Sequence, residues 1–175
     1  MITILTDKAT NNLGQDMYQK IIEIRQDVKH FSMENMRIEP CYACRGCDEK
    51  AYKRCIIRDD ADQILPYLAR SKTIAVFTSI VFGGYSFHIK RIADRFALLL
   101  PKGYNYRDGE LVAGKYPGIN YHVIGIHDGI YKPEIEIFKQ LVMENHKITG
   151  WVGQSLVLPY DEDKYNSLIK EVAKT

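Results

Sequence analysis

The residues best suited to chemistry are four cysteines within fifteen positions: Cys41-Tyr-Ala-Cys44-Arg-Gly-Cys47, then Cys55 after seven more residues. Three thiolates at C-x2-C-x2-C spacing can converge on one small inorganic core, with a later cysteine closing the site, as compact iron–sulfur ligation requires. Four thiolates also satisfy tetrahedral zinc, although zinc sites usually take two separated C-x2-C pairs. The same residues read equally as a redox-active dithiol, or as reduced thiols that pack as small buried groups. Spacing alone leaves these alternatives open. The chain shows no catalytic triad, no convincing pair of carboxylates and no Walker-type loop.

The elements that must position such a group alternate along the chain. Met1–Leu5, Val28–Met33, Thr73–Ser79, Tyr121–Ile126 and Val152–Leu158 read as short strands, most of them rich in β-branched and aromatic residues. Leu13, Met17, Ile21 and Ile24 fall at helical spacing after the first strand. Asp59 and Asp60 precede Ile64, Leu65 and Leu68 as caps of a second helix ending near Ser71. Ser86 to Leu100 is a third helix, with Ile89, Ile92, Ala93 and Phe96 on one side. Lys90, Asp94 and Arg95 are expected to form ion pairs within it. A Gly- and Tyr-rich excursion containing Tyr104 and Tyr106 follows. Pro133 opens a fourth helix reaching about Lys147, and Asp161–Ala173 forms the last.

Strands alternating with helices predict an α/β fold: a five-stranded parallel sheet with helices on both faces, because each parallel step needs a crossover. In such sheets ligands lie beyond the carboxyl ends of the strands, at the switch point. The loops at residues 6–12, 79–86 and 126–131 are therefore the candidate site. The last of them offers His127, Asp128 and Gly129, with His127 alternatively an ordinary polar loop residue.

At 175 residues and 46% apolar content, the chain fits one domain spanning 1–175, with a cysteine-rich loop at about 38–58. Such a domain needs no staple, so a metal or disulfide would serve something other than bulk stability. The 24 basic and 22 acidic residues are spread evenly, which argues against a nucleic-acid partner. The longest apolar run, 73–84, falls short of the ~20 residues of a membrane helix. The apolar start meets charge too soon for a signal peptide. The expectation is a cytoplasmic protein without membrane contact. In that reducing setting clustered cysteines point to metal or redox chemistry before a structural disulfide.

Two segments carry a resemblance. Ile38-Glu-Pro-Cys41-x2-Cys44-x2-Cys47 with Cys55-Ile-Ile-Arg-Asp59-Asp60 resembles the cysteine-bearing loop of the NAD(P)H-dependent FMN reductase and iron–sulfur flavoprotein families. Ser79-Ile-Val-Phe82-Gly83-Gly84-Tyr85-Ser86, followed by Lys90 and Asp94-Arg95, is similar to their flavin loop and the helix after it. With the strand pattern, the resemblance spans roughly residues 1–160. It implies a flavodoxin-like three-layer sandwich. It also implies that Ser79, Val81, Phe82, Gly83 and Gly84 lie along the isoalloxazine ring of FMN, where glycines permit close backbone approach. By the same resemblance Thr6, Lys8, Thr10 and Asn12 of the first loop hold the FMN phosphate at a helix N-terminus, with a helix cap at Thr10 or Asn11 as the other reading. This loop departs from the family pattern: it has no glycine, and Asp7 adds a negative charge. Ile80 stands where the family commonly has proline.

The resemblance thus implies an FMN-dependent oxidoreductase, taking electrons from NAD(P)H or a reduced carrier and passing them to a small-molecule or protein acceptor. In the iron–sulfur branch, Cys41, Cys44, Cys47 and Cys55 hold a four-iron four-sulfur cluster in a homodimer or homotetramer. The alternative is a non-enzymatic zinc- or thiol-switch module on a flavodoxin-like scaffold without flavin.

Overall fold

The computed structural model describes residues 1–49, 54–100, 104–107, 109–113 and 118–175. Residues 50–53 of the cysteine loop, and 101–103, 108 and 114–117 of the Gly/Tyr-rich excursion, lie outside the described residues. In chain order the elements are β1 (Ile2–Thr6), α1 (Asn11–Ile22), β2 (Val28–Ser32), a single turn α2 (Gly46–Glu49) and α3 (Ala61–Leu68). There follow β3 (Thr73–Val81), β4 (Gly84–Tyr85) and α4 (Phe87–Ala93), which tightens into a 3-10 turn over Asp94–Leu99. The chain ends with β5 (Tyr104–Arg107), β6 (Glu110–Ala113), β7 (Asn120–Ile126), α5 (Pro133–Thr149), β8 (Ser155–Leu158) and α6 (Glu162–Val172).

Five strands pair in parallel in the order β2-β1-β3-β7-β8. This is the doubly wound order that places a switch point between β1 and β3. Alternation within the strands sorts the core into two layers. Leu5, Ile74, Val76, Val123 and Val157 face α3, α4 and α5 through Ile64, Leu68, Ile89, Ile92, Phe138 and Val142. Ile2, Ile4, Ala75, Phe77, Ile124 and Leu156 face α1 and α6 through Met17, Ile21, Leu168 and Val172. The expected parallel sheet with helices on both faces is thus what the chain forms. Among the described residues no helix is long and apolar enough to cross a membrane.

Three elements differ from the sequence expectation. β3 runs two residues past Ser79 and turns back on itself as β4. The excursion holds a second small sheet, the antiparallel pair β5–β6, with Tyr104 and Tyr106 on its first strand. The last strand begins at Ser155, leaving Val152 in an isolated bridge to Asn120.

On β7, His122 is buried, and its Nδ1 accepts the Gln154 N–H at 3.2 Å. Burial, and secondarily the nearby His146, holds its pKa down at about 4. The native state therefore refuses a proton that the unfolded chain, with an ordinary value near 6.5, accepts. Stability is expected to be level above pH 7 and to fall by about 3 kcal/mol as pH drops from 6.5 to 4. Urea unfolding at pH 7.0 and pH 4.5 should show a markedly smaller difference in His122→Gln than in the parent.

Candidate functional site

The carboxyl ends of β1 and β3 are tied together by a buried carboxylate. β1 ends at Thr6, and the chain turns through Asp7–Thr10 into α1. Asp7 is 2% exposed; its Oδ2 accepts the Ser79 N–H at 2.7 Å. Its Oδ1 accepts the Thr10 N–H at 3.0 Å and the Thr10 hydroxyl at 2.9 Å. The Thr10 Oγ1 also meets the Asp7 N–H at 3.1 Å and the Phe77 carbonyl at 3.1 Å. Thr6 is buried too, its hydroxyl directed to Asn11 Oδ1 and His30 Nε2. Gly14 lets α1 lie against β1, since a Cβ there would stand 2.1 Å from the Thr6 methyl. Of the four first-loop residues considered for a phosphate, Thr6 and Thr10 thus face inward, whereas Lys8 and Asn12 face solvent. Lys8 Nζ lies 3.2 Å from Glu34 Oε1. Thr10 occupies the cap position of α1, but its side chain makes no capping bond to the helix.

Beyond Ser79 the chain forms a hairpin rather than an open glycine loop. Ile80 pairs with Tyr85 and Val81 with Gly84, leaving Phe82 and Gly83 as a two-residue turn with φ of 50° and 74°. Positive φ at both central residues matches the twist of the flanking strands, and such turns favour Asn, Asp or Gly. Phenylalanine there is held in a conformation costing about 1–2 kcal/mol, and its side chain is 91% exposed. Strain of this kind concentrates at functional sites. Gly83 packs on α5, where an added Cβ would lie 2.5 Å from Ile137 Cγ2.

The third loop is self-contained. His127 is buried; its Nδ1 accepts the Gly129 N–H at 2.9 Å, so Nε2 carries the proton that it gives to the Tyr131 carbonyl at 3.1 Å. Asp128 is exposed and its Oδ1 accepts the Ile130 N–H at 2.9 Å. These bonds present Ile130 and Tyr131 to solvent. His127 thus orders its loop from within.

The cysteine loop is closed at its neck by charge. Arg95, 2% exposed, donates to both oxygens of Asp59, at 3.0 and 2.5 Å, and to the Glu39 carbonyl at 2.8 Å. Asp59 in turn accepts the N–H groups of Glu39 and Ala61, at 2.8 and 3.0 Å. Asp60 accepts the Arg37 N–H at 2.7 Å, and Arg91 donates to the Ile38 carbonyl at 3.1 Å. Of the two expected caps, Asp59 does reach the first turn of α3, yet the larger task of both is to join the segments entering and leaving the loop. Lys90 and Asp94 form the expected ion pair within the helix. Arg95 leaves the helix surface instead and reaches a partner 36 residues away.

Between the cysteines, Ala43 and Arg45 both adopt positive φ, 50° and 54°, coiling the chain tightly. Cys41 and Cys44 are exposed, Cys47 and Cys55 half-buried, and all four are free thiols. Burial pushes the Cys47 thiol up, with smaller upward contributions from Cys55, Cys41 and Cys44. Among the described residues no set of three or more potential ligands stands in ready-made metal geometry. A cavity of about 460 Å³ opens beside Cys55, lined by Arg54, Arg58, Leu65 and Leu99. A second, of about 480 Å³, lies between Tyr85, Phe96, Tyr121 and Trp151. Neither includes a residue of the first or third loop.

Sheet order, layers and the loops at the switch point define the flavodoxin-like class. Over 99% of its length the chain superposes on 97% of an archaeal flavodoxin, with a TM-score of 0.55 at 13% identity. It superposes equally on 97% of an FMN-dependent NADH-azoreductase from Bacillus anthracis solved with FMN, with a TM-score of 0.61 at 11% identity. In sequence it is 29% identical over 104 residues to an iron–sulfur flavoprotein of Archaeoglobus fulgidus, covering 59% of this chain and 52% of that one. The chain spans about half the length of the curated relatives it matches. No family model matches it. The resemblance is thus borne out as a likeness: the chain is similar in sequence to proteins named iron–sulfur flavoproteins and takes the flavodoxin-like fold.

Proposed function

We propose that this chain is a flavin-dependent oxidoreductase whose cysteine loop carries an iron–sulfur cluster. The observation that carries the reading is the joining of the β1 and β3 loops at the switch point through Asp7 and Ser79, since that is where doubly wound sheets hold their ligands. Relatives named as iron–sulfur flavoproteins support it. A flavin bound there supplies hydride and single-electron chemistry. The chain's own part is to hold and shield the ring. The Phe82–Gly83 hairpin offers backbone and an exposed aromatic surface, and Ile130 and Tyr131 offer apolar cover from the neighbouring loop. Electrons come from NAD(P)H or a reduced carrier and leave to a small-molecule or protein acceptor. No general base is needed from the protein.

Cys41, Cys44, Cys47 and Cys55 fit a cluster by the chemistry of their donors: four free thiols carried on one loop. Left-handed Ala43 and Arg45 keep the three leading cysteines on one tight coil. The closed neck fixes both ends of the loop that bears them.

Anaerobic purification with a visible spectrum and with iron, sulfide and zinc analysis tests the whole reading. We expect a flavin band and about four irons per chain. Cys44→Ser should lose most of that iron while retaining the flavin band. Iron content unchanged by this substitution removes Cys44 from the ligand set. A protein that stays colourless after incubation with FMN removes the flavin, and zinc in place of iron points to the switch-module alternative.

A further inference from the structure

We infer that Asp7 deprives the flavin site of its phosphate subsite, so that the chain binds flavins by the ring and does not discriminate in favour of the 5′-phosphate. The inference rests on the flavin reading above and specifies the form of flavin the site accepts. A phosphate held by the first loop of a doubly wound sheet relies on backbone N–H groups at the loop and helix start, with hydroxyls and a cation beside them. Here part of that donor set is already engaged by Asp7. The N–H and hydroxyl of Thr10 go to one oxygen of Asp7, and the N–H of Ser79 to the other. The Thr6 hydroxyl is turned into the sheet. A carboxylate so buried cannot be displaced by a phosphate without leaving its own charge unpaired, which is costly away from water.

The charge balance around the loop agrees. Its one lysine, Lys8, is matched by Glu34 at 3.2 Å, so Asp7, Lys8 and Glu34 together sum to −1. His30, hydrogen-bonded to Thr6, has its pKa lowered by burial and adds no cation at neutral pH. Asp16, the next acid along α1, is paired with Lys20. A phosphate dianion therefore meets a net negative loop in which Asp7 already holds the Thr10 N–H and hydroxyl. Carboxylate and phosphate are alternative occupants of the same donors, and this chain carries its occupant covalently.

Equilibrium binding of riboflavin and of FMN to the purified chain stripped of flavin, followed by quenching of flavin fluorescence, tests the inference. The expected result is affinities for the two within about threefold of each other. Asp7→Ser should tighten FMN about tenfold or more, the return of one charge-assisted contact, and leave riboflavin within about twofold. Asp7→Asn removes the charge and keeps one oxygen acceptor, for Ser79 or for Thr10, while its NH2 faces the other donor. It should shift the FMN-to-riboflavin ratio in the same direction, and it covers the case in which the serine variant fails to fold. A merely structural role for Asp7 would weaken both flavins alike and leave the ratio unmoved. FMN bound more than tenfold tighter than riboflavin by the parent chain overturns the inference and leaves the flavin reading standing, as does an unchanged ratio in both variants. Binding of neither flavin by the folded parent overturns the flavin reading itself, and the inference with it.

Discussion

Arg95→Leu is expected to lower stability by about 3–5 kcal/mol, because it strands the Asp59 carboxylate inside the protein. The two side chains are 1% and 4% exposed and meet in a bidentate pair, so the remaining charge would have neither water nor a cation beside it. For a chain of this length each kcal/mol moves the midpoint by roughly 2–4 °C, so a thermal melt should drop by about 6–20 °C. Asp59→Leu should cost a comparable amount, since it orphans Arg95 together with the N–H groups of Glu39 and Ala61. The double variant should recover only part of the loss: removing both charges relieves the electrostatic penalty, but the two N–H groups stay unpaired. A drop of under about 1 kcal/mol in Arg95→Leu would mean that the neck of the cysteine loop draws its stability from elsewhere.

The same variant links stability to function. Arg95 ties the Glu39 carbonyl to Asp59, one link on each side of the cysteines. Opening that link should expose the segment between residues 40 and 58 to protease before the sheet unfolds. The clamp sits beside Ile38, Ala61 and Phe96, which are buried in the core, and adds charge and hydrogen bonds to that apolar burial.

Much of this was legible in the sequence, for a physical reason. Strands buried on both faces, such as Thr73–Phe77, show as unbroken apolar runs, and helices between them keep the 3.6-residue spacing, as Met17 and Ile21 do. What escaped notice depends on contacts distant in sequence, or on backbone angles that the residue type disfavours. Nothing in Asp59 or Arg95 announces a partner 36 positions away, and Asp7 read only as an added negative charge because its two acceptor roles exist only once β1 and β3 lie side by side. The Phe82–Gly83 turn was hidden because phenylalanine is a poor residue for positive φ. The β5–β6 hairpin carried a usable signal in Asp108-Gly109, a dipeptide that favours such turns.

Gly83→Val should destabilise the chain by about 2–5 kcal/mol and carry the flavin with it, though not through contact with the ring. Two costs combine. A β-branched residue at φ 74° pays about 1–2 kcal/mol for the left-handed backbone. Its Cβ must also displace Ile137, whose Cγ2 and Cβ would stand 2.5 and 2.8 Å away, at an overpacking cost of about 1–3 kcal/mol. Either the hairpin lifts from α5 or the strands β3 and β4 lose register, and in both cases Phe82 leaves the position from which it can cover a ring. Ile137 is half exposed, so Ile137→Ala costs little by itself and removes the obstacle. Pairing it with Gly83→Ala separates the causes. If packing against α5 is what the glycine protects, the double variant should regain most of the flavin affinity lost by Gly83→Ala, and only the backbone cost should persist in urea unfolding. If the glycine instead clears space for the ring, Ile137→Ala should restore nothing, because the obstructing methyl would then face the flavin.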